Sequence, residues 1–286
     1  MVTNEMLVRN CFILTFAAFV ISTGANAAAG VACSVKGVES GAPILCGVAS
    51  QGGMLYGEAE GWQVFNGQEK ISKDGVFVIG MDRDAAKVLK LKFCKAETCK
   101  TYSYKIASRE YVEQKVTVPD KFVKYPDEVQ KRIDRENGEI KTARARTADD
   151  SFVQFMDLAL TDELKKHPIS GVFGSRRVFN GEPKSPHKGL DIAAPTGTAV
   201  GSLSAGTVVI AADMYLSGKT VFISHGHGVT SAYLHLSEIN VKKGDTVAKG
   251  DIIGKVGATG RVSGAHLHLG VYWRQIALDP GLLVNR

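Results

Sequence analysis

The sequence has 286 residues, 44% hydrophobic and 22% charged, with a formal net charge of +6. That composition excludes a disordered chain and a polytopic membrane protein, and it leaves room for two domains. Lys and Arg are interspersed with Asp and Glu rather than gathered into a stripe, so no nucleic-acid partner is expected. Weak attraction to an anionic polymer is compatible with the charge.

Residues 1–27 read as an export leader. Arg9 precedes an apolar run over 11–21 that is too short to span a bilayer comfortably, and Ala25-Asn26-Ala27 is an A-x-A site that predicts cleavage after Ala27. Glu5 offsets Arg9, so an uncleaved anchor is the competing reading, and Gly30-Val31-Ala32 is a poor lipobox for Cys33. Cleavage removes Cys11 and leaves Cys33, Cys46, Cys94 and Cys99, an even number in a chain bound for an oxidising compartment. Two disulfides are expected. Four cysteines allow three pairings, and proximity favours Cys33 with Cys46 and Cys94 with Cys99.

Residues 28–108 carry short β-rich runs at 43–48, 54–56, 62–65, 76–79 and 88–93, with Lys73-Asp74-Gly75 as a turn signal. A small β-sandwich or barrel is expected, with Tyr56, Trp62 and Phe77 as core aromatics. Residues 109–150 change character. Val118-Pro119 and Tyr125-Pro126 bracket an extended connector, and a run of charged helix formers follows from Pro126 to Ala145. Val129, Ile133 and Ile140 share a helical face, but Glu136 breaks the series. The pattern predicts a solvated linker helix interrupted near Asn137-Gly138, acting as a spacer or folding over a groove in the following domain. From 151 to 286 strand-and-turn patterning returns, and two Gly-Asp turn signals, Gly244-Asp245 and Gly250-Asp251, imply tightly connected antiparallel strands.

All seven histidines lie in this last domain, which has no cysteine, so any metal site there must use His and carboxylate. In Gly264-Ala265-His266-Leu267-His268 an extended strand points His266 and His268 the same way, about 7 Å apart. His187-Lys188-Gly189-Leu190-Asp191 gives a His and an Asp at even spacing, again on one face. His187, Asp191 and His268 then form a three-ligand site for one catalytic Zn2+ with a position left for water. His235 and His266 remain as imidazoles for proton transfer and oxyanion stabilisation. No HExxH helix is present to supply a glutamate base. His225 and His227 sit at a Gly-rich turn and read as turn residues, and His167, beside Pro168, reads as surface.

The set His187-x-Gly189-x-Asp191, Tyr233-Leu234-His235-Leu236, Gly257-Ala258-Thr259-Gly260-Arg261 and Ala265-His266-Leu267-His268 resembles the lysostaphin/LytM-type zinc metallopeptidases, cell-wall endopeptidases, from about Gly171 to the C-terminus. Phe173-Gly174-Ser175-Arg176-Arg177, Phe179-Asn180-Gly181-Glu182-Pro183 and Leu278-Asp279-Pro280 are closer to the secreted Gram-negative branch. Ala265 stands where that family commonly has Pro, and Leu269 where an aromatic is usual; altered groove packing is expected from both. The resemblance implies a mostly β chain with an N-terminal sandwich or barrel, a helical linker and a C-terminal antiparallel-β peptidase domain. It maps zinc onto His187, Asp191 and His268 and catalysis onto His235 and His266, with Arg177, Asn180 and Tyr233 as candidate groove contacts. It further implies hydrolysis of peptidoglycan peptide cross-links, D-alanyl-diaminopimelate in this branch, by a periplasmic protein that makes no stable membrane insertion after leader cleavage and can take a regulatory partner. The alternatives are a non-catalytic module that binds and activates a cell-wall amidase, whose relatives typically lose ligands, and a lipoyl- or biotinyl-type carrier, suggested by the Gly-Asp turns but without a convincing Lys at a tight turn tip and leaving the five histidine and carboxylate positions unexplained.

Overall fold

The computed structural model describes residues 35, 37, 41–73, 75–116, 125–145, 157–179, 182–183 and 185–285. The expected leader and Cys33 lie outside these residues. Among the described residues no helix is long and apolar enough to cross a membrane.

The N-terminal β-rich unit is a sandwich of two four-stranded sheets. One runs Cys46–Gly47, Met54–Glu58, Val76–Gly80, Ser72–Lys73; the other runs Glu69–Lys70, Gln63–Asn66, Val88–Lys95, Thr98–Lys105. Alternation sends Leu55, Phe77, Ile79, Val64, Leu91 and Tyr104 into the space between the sheets, all nearly inaccessible to solvent. Tyr56 and Phe77 are buried as expected, whereas Trp62 is 40% exposed under the Lys95 ammonium. Cys94 and Cys99 are bonded across the Val88–Lys95/Thr98–Lys105 hairpin. Cys46 is disulfide-bonded too, and Cys33, its expected partner, is outside the described residues.

The C-terminal unit is built on an eight-stranded sheet. Its strands run Ile169–Gly171, Leu190–Ile192, Leu267–Trp273, Val229–Leu236, Gly218–Ser224, Gly206–Met214, Thr246–Val247, with Ile276–Leu278 also paired to Leu267–Trp273. Every pairing in this sheet is antiparallel. Both Gly-Asp turns form as expected: Gly244 and Gly250 adopt φ of 97° and 85°, and the following carboxylates accept the N–H groups of Lys242 and Ala248.

Two parts of the 109–150 connector differ from expectation. Glu113–Val116 is a strand that pairs in parallel with Arg176–Phe179, so the chain joins the C-terminal unit before the helix begins. Helix α1 (Asp127–Ala145) runs 19 residues without interruption at Gly138, and although most of it is solvated as expected, one face is packed on the large sheet. Ile140 and Ala143 pack against Val209, Phe222, Ala232 and Tyr272 on one face of the large sheet, and the Arg144 guanidinium lies 4.4 Å over the Tyr272 ring. Glu136, which interrupts the apolar stripe in sequence, is itself buried, because its carboxylate accepts Arg132 Nε–H (2.6 Å) and the backbone N–H of Tyr215 (2.8 Å).

The two β units share one hydrophobic core, which runs from Leu45 and Phe77 through Trp273 to Val284. Gly80 makes the close approach: a Cβ there would stand 2.8 Å from Trp273 Cβ and 2.9 Å from Leu278 Cδ2. Beside it Arg109 Nη1 donates to Asp279 Oδ2 at 2.7 Å, while Asp279 Oδ1 caps the last helical turn by accepting Gly281 N–H at 2.8 Å. Asp279 is only 5% exposed. Asp279→Ala removes a cap and strands the Arg109 charge, so it should lower the unfolding free energy by about 2–3 kcal/mol. The urea midpoint of the full chain measures this, and a loss under about 0.5 kcal/mol would show that the pair contributes nothing to the junction.

Candidate metal centre

The site begins with strand register. Asp191 lies directly opposite His268, and His268 directly opposite Leu234, so Asp191 and His268 share one sheet face. Helix α1 covers another part of that same face, where Ala232 and Tyr272 lie. His187 arrives from the turn before Leu190–Ile192, its backbone tied to Ser175 O and Gly174 N–H at 2.8 and 2.9 Å.

Three side-chain atoms converge. His187 Nε2 is 3.1 Å from Asp191 Oδ1 and 3.0 Å from His268 Nδ1, and His268 Nδ1 is 2.8 Å from Asp191 Oδ1. His187 Nδ1 lies 2.9 Å from the Val172 carbonyl, which can only accept, so Nδ1 carries the proton and Nε2 turns a lone pair inwards. The carboxylate has only lone pairs to offer. A single proton on His268 Nδ1 cannot satisfy both His187 Nε2 and Asp191 Oδ1, whereas one divalent cation satisfies all three. The donor set, two imidazole nitrogens and one carboxylate oxygen, is that of an open-position metal site.

Close packing fixes the ligands. A Cβ on Gly171 would sit 2.3 Å from Asp191 Oδ2, and one on Gly189 would sit 2.7 Å from His268 Nε2 and 2.4 Å from Leu269 O. Burial raises the Asp191 carboxyl, but the close approach of the His187 and His268 imidazoles outweighs that and holds it well below the usual carboxylate range. Burial lowers His268 and keeps it neutral.

The other two imidazoles flank this cluster. The His266 and His235 ring centres are 5.0 Å apart, the His235 and His268 centres 6.1 Å, and His266 Nε2 is 3.9 Å from Asp191 Oδ1. His266 Nδ1 donates to Gly264 O (2.9 Å) and His235 Nδ1 to Thr259 O (3.0 Å), which leaves Nε2 of each with its lone pair. His235 stands one residue past Leu234 and in a regular strand would face the core. A register shift in the pairing with Gly218–Ser224 and a φ of +66° at His235 turn it to the metal side. Burial pushes its pKa down to about 4.

Residues 185–280 match the sequence profile of peptidase family M23. This stretch of the chain is an M23 peptidase domain. The match spans about a third of the chain and holds the His, Asp, His cluster and both flanking histidines. The chain is 44% identical over 104 residues to the peptidoglycan DD-endopeptidase ShyA of Vibrio cholerae, covering 36% of this chain and 24% of the relative. It is 38% identical over 115 residues to ShyB of the same organism, covering 40% and 24%. It thus spans about a quarter of the length of these relatives. A solved Pseudomonas aeruginosa protein assigned to peptidase M23 matches far more of it: 28% identity, TM-score 0.62, 82% of this chain and 94% of that one. The likeness therefore reaches beyond the M23 domain.

Among the other predicted contacts, Asn180 and the Arg177 side chain lie outside what is described; Arg177 itself is placed in the strand Arg176–Phe179. Tyr233 is corrected. It is opposite Leu269, wholly buried on the core face, and its hydroxyl accepts Leu203 N–H at 2.7 Å, so it supports the M23 sheet and does not line a groove. Leu269 is likewise core, so the missing aromatic alters packing beneath the sheet and not the groove. His225 is fully buried between Ala205 O and Ser231 Oγ, a structural residue, and His227 sits in the turn with φ of 49°. The groups missed in sequence are the carbonyls of Val172, Thr259 and Gly264, which set tautomers yet belong to residues of no distinctive type. Gly189→Ala should weaken metal binding by about tenfold or more while the chain still folds, as read by competitive metal titration against circular dichroism; unchanged affinity would mean the His268 ring tolerates the methyl group.

Proposed function

We propose that the chain is a zinc endopeptidase that hydrolyses peptide cross-links of peptidoglycan, of the D-alanyl-diaminopimelate type, in the periplasm after removal of residues 1–27. The observation that carries this reading is the division of five side chains around one point. His187, Asp191 and His268 direct lone pairs at a common centre, while His235 and His266 keep Nε2 free beside it. The M23 match and the peptidoglycan DD-endopeptidases of Vibrio cholerae among its relatives support the substrate class.

His187, Asp191 and His268 would hold the ion, whose chemistry is to acidify water and polarise a peptide carbonyl. The protein supplies the proton handling. His235, kept neutral by burial, can take a proton at Nε2 while Thr259 O holds its Nδ1–H. His266, its Nε2 3.9 Å from Asp191 Oδ1, is the second imidazole placed to pass a proton to the leaving amine. The amidase-activating reading is less favoured, because such a module does not need five converging groups and this chain keeps all five. A regulatory protein partner remains part of the proposal.

Two experiments test it. Chelation should abolish release of monomeric stems from cross-linked dimers and added zinc should restore it; full activity in metal-free protein overturns the zinc reading. His235→Ala should retain the metal and lose about 100-fold or more in kcat, whereas His268→Ala should lose both together. Metal loss in the His235 variant would reverse the assigned roles.

A further inference from the structure

Helix α1 lies outside residues 185–280, yet one of its buried groups is tied to the turn that holds His235. That turn, 215–218, joins Gly206–Met214 to Gly218–Ser224. Tyr215 N–H is given to Glu136 Oε2 at 2.8 Å. Leu216 O accepts Arg261 N–H at 2.9 Å, and Ser217 O accepts His235 N–H at 2.9 Å. Gly218, at φ of 63°, leaves no room for a Cβ against Thr259, whose carbonyl takes the His235 Nδ1–H. The turn therefore grips His235 by its backbone and, through Thr259, by its ring.

His235 needs such a grip. A histidine at φ of +66° is in a conformation that L side chains rarely adopt, and it persists only where its surroundings determine it. The helix side of the turn is specific as well. Glu136 is 8% exposed, and its second oxygen is taken by Arg132 Nε, whose Nη2 also reaches Asp213 O at 3.2 Å. The Arg132 guanidinium and the Tyr125 ring pack on Tyr215, and Tyr125 Oη accepts from Arg261. A buried carboxylate in an otherwise apolar stripe thus gives one oxygen to this turn and the other to Arg132 on its own helix.

We infer that Glu136 is a positioning residue that holds His235 in its left-handed backbone conformation through the 215–218 turn, making helix α1 a working part of the site. The kinetic consequence rests on the endopeptidase reading; the conformational one does not.

The test uses the full chain carrying Glu136→Ala, Glu136→Gln or Ile140→Ala, with two readouts: amide hydrogen exchange at His235, and kcat and KM on a cross-linked peptide dimer at measured metal content. Glu136→Ala should speed His235 N–H exchange at least tenfold relative to Ala232 N–H in the same strand. It should also lower kcat about tenfold, with KM and metal content within twofold of wild type. Glu136→Gln keeps an oxygen for Tyr215 N–H and should restore both. Ile140→Ala loosens the helix where it packs on the sheet and should leave both within twofold. Should the alanine variant not fold, Glu136→Asp, which withdraws the carboxylate by one methylene, is expected to raise the exchange instead. Unchanged His235 exchange in a folded Glu136→Ala or Glu136→Asp protein overturns the inference. So does an equal effect from Ile140→Ala, which would make the helix a cover only. If wild-type protein loaded with zinc shows no turnover while exchange responds as stated, the endopeptidase reading fails and the positioning role stands.

Discussion

The site depends on one cross-strand opposition, Asp191 against His268, which places a carboxylate oxygen 2.8 Å from an imidazole nitrogen. Both are fixed by an antiparallel ladder whose side-chain period is two, so a slip of one residue in either strand would carry its group to the core face and separate the pair. The packing at Gly189 follows from the same opposition, since the turn before the Asp191 strand must pass within contact of the His268 ring, while Gly171 on the neighbouring strand leaves room for the Asp191 carboxylate. His187 is then brought in by backbone hydrogen bonds to the 172–175 turn rather than by the sheet.

Burial divides the labour among the five groups. It lowers His235 and His268, so both stay neutral, while Asp191 stays ionised because the His187 and His268 imidazoles beside it outweigh the cost of its desolvation. A neutral imidazole can ligate or accept a proton, and an anionic carboxylate can offset an added cation. Ligand and base are the same residue type here, separated only by where each ring points.

Elements outside the M23 domain hold both sides of this centre. On the His187 side, Arg83 Nε of the N-terminal sandwich donates to Gly174 O at 2.7 Å, and the Tyr111 ring lies so close over Gly174 that no side chain fits there. On the His235 side, helix α1 ties down the 215–218 turn. The shared core and the Arg109–Asp279 pair join the sandwich to the peptidase unit.

What the sequence by itself determined was the chemistry and its local direction. His187 with Asp191 and His266 with His268 are pairs at even spacing, and in extended backbone that spacing states the face without reference to anything distant. The same period misdirects at Tyr233, two residues before His235, because only the φ of +66° and the register shift turn His235 off the face Tyr233 keeps. Helix α1 was legible as a helix but not as one packed on the sheet, since Glu136 counts as a break in an apolar stripe until Tyr215, 79 residues further on, supplies the N–H that makes burial of that carboxylate favourable. The tautomers depended on carbonyls, which every residue carries. Tertiary structure alone decided these points, because each is a contact between groups far apart in the chain.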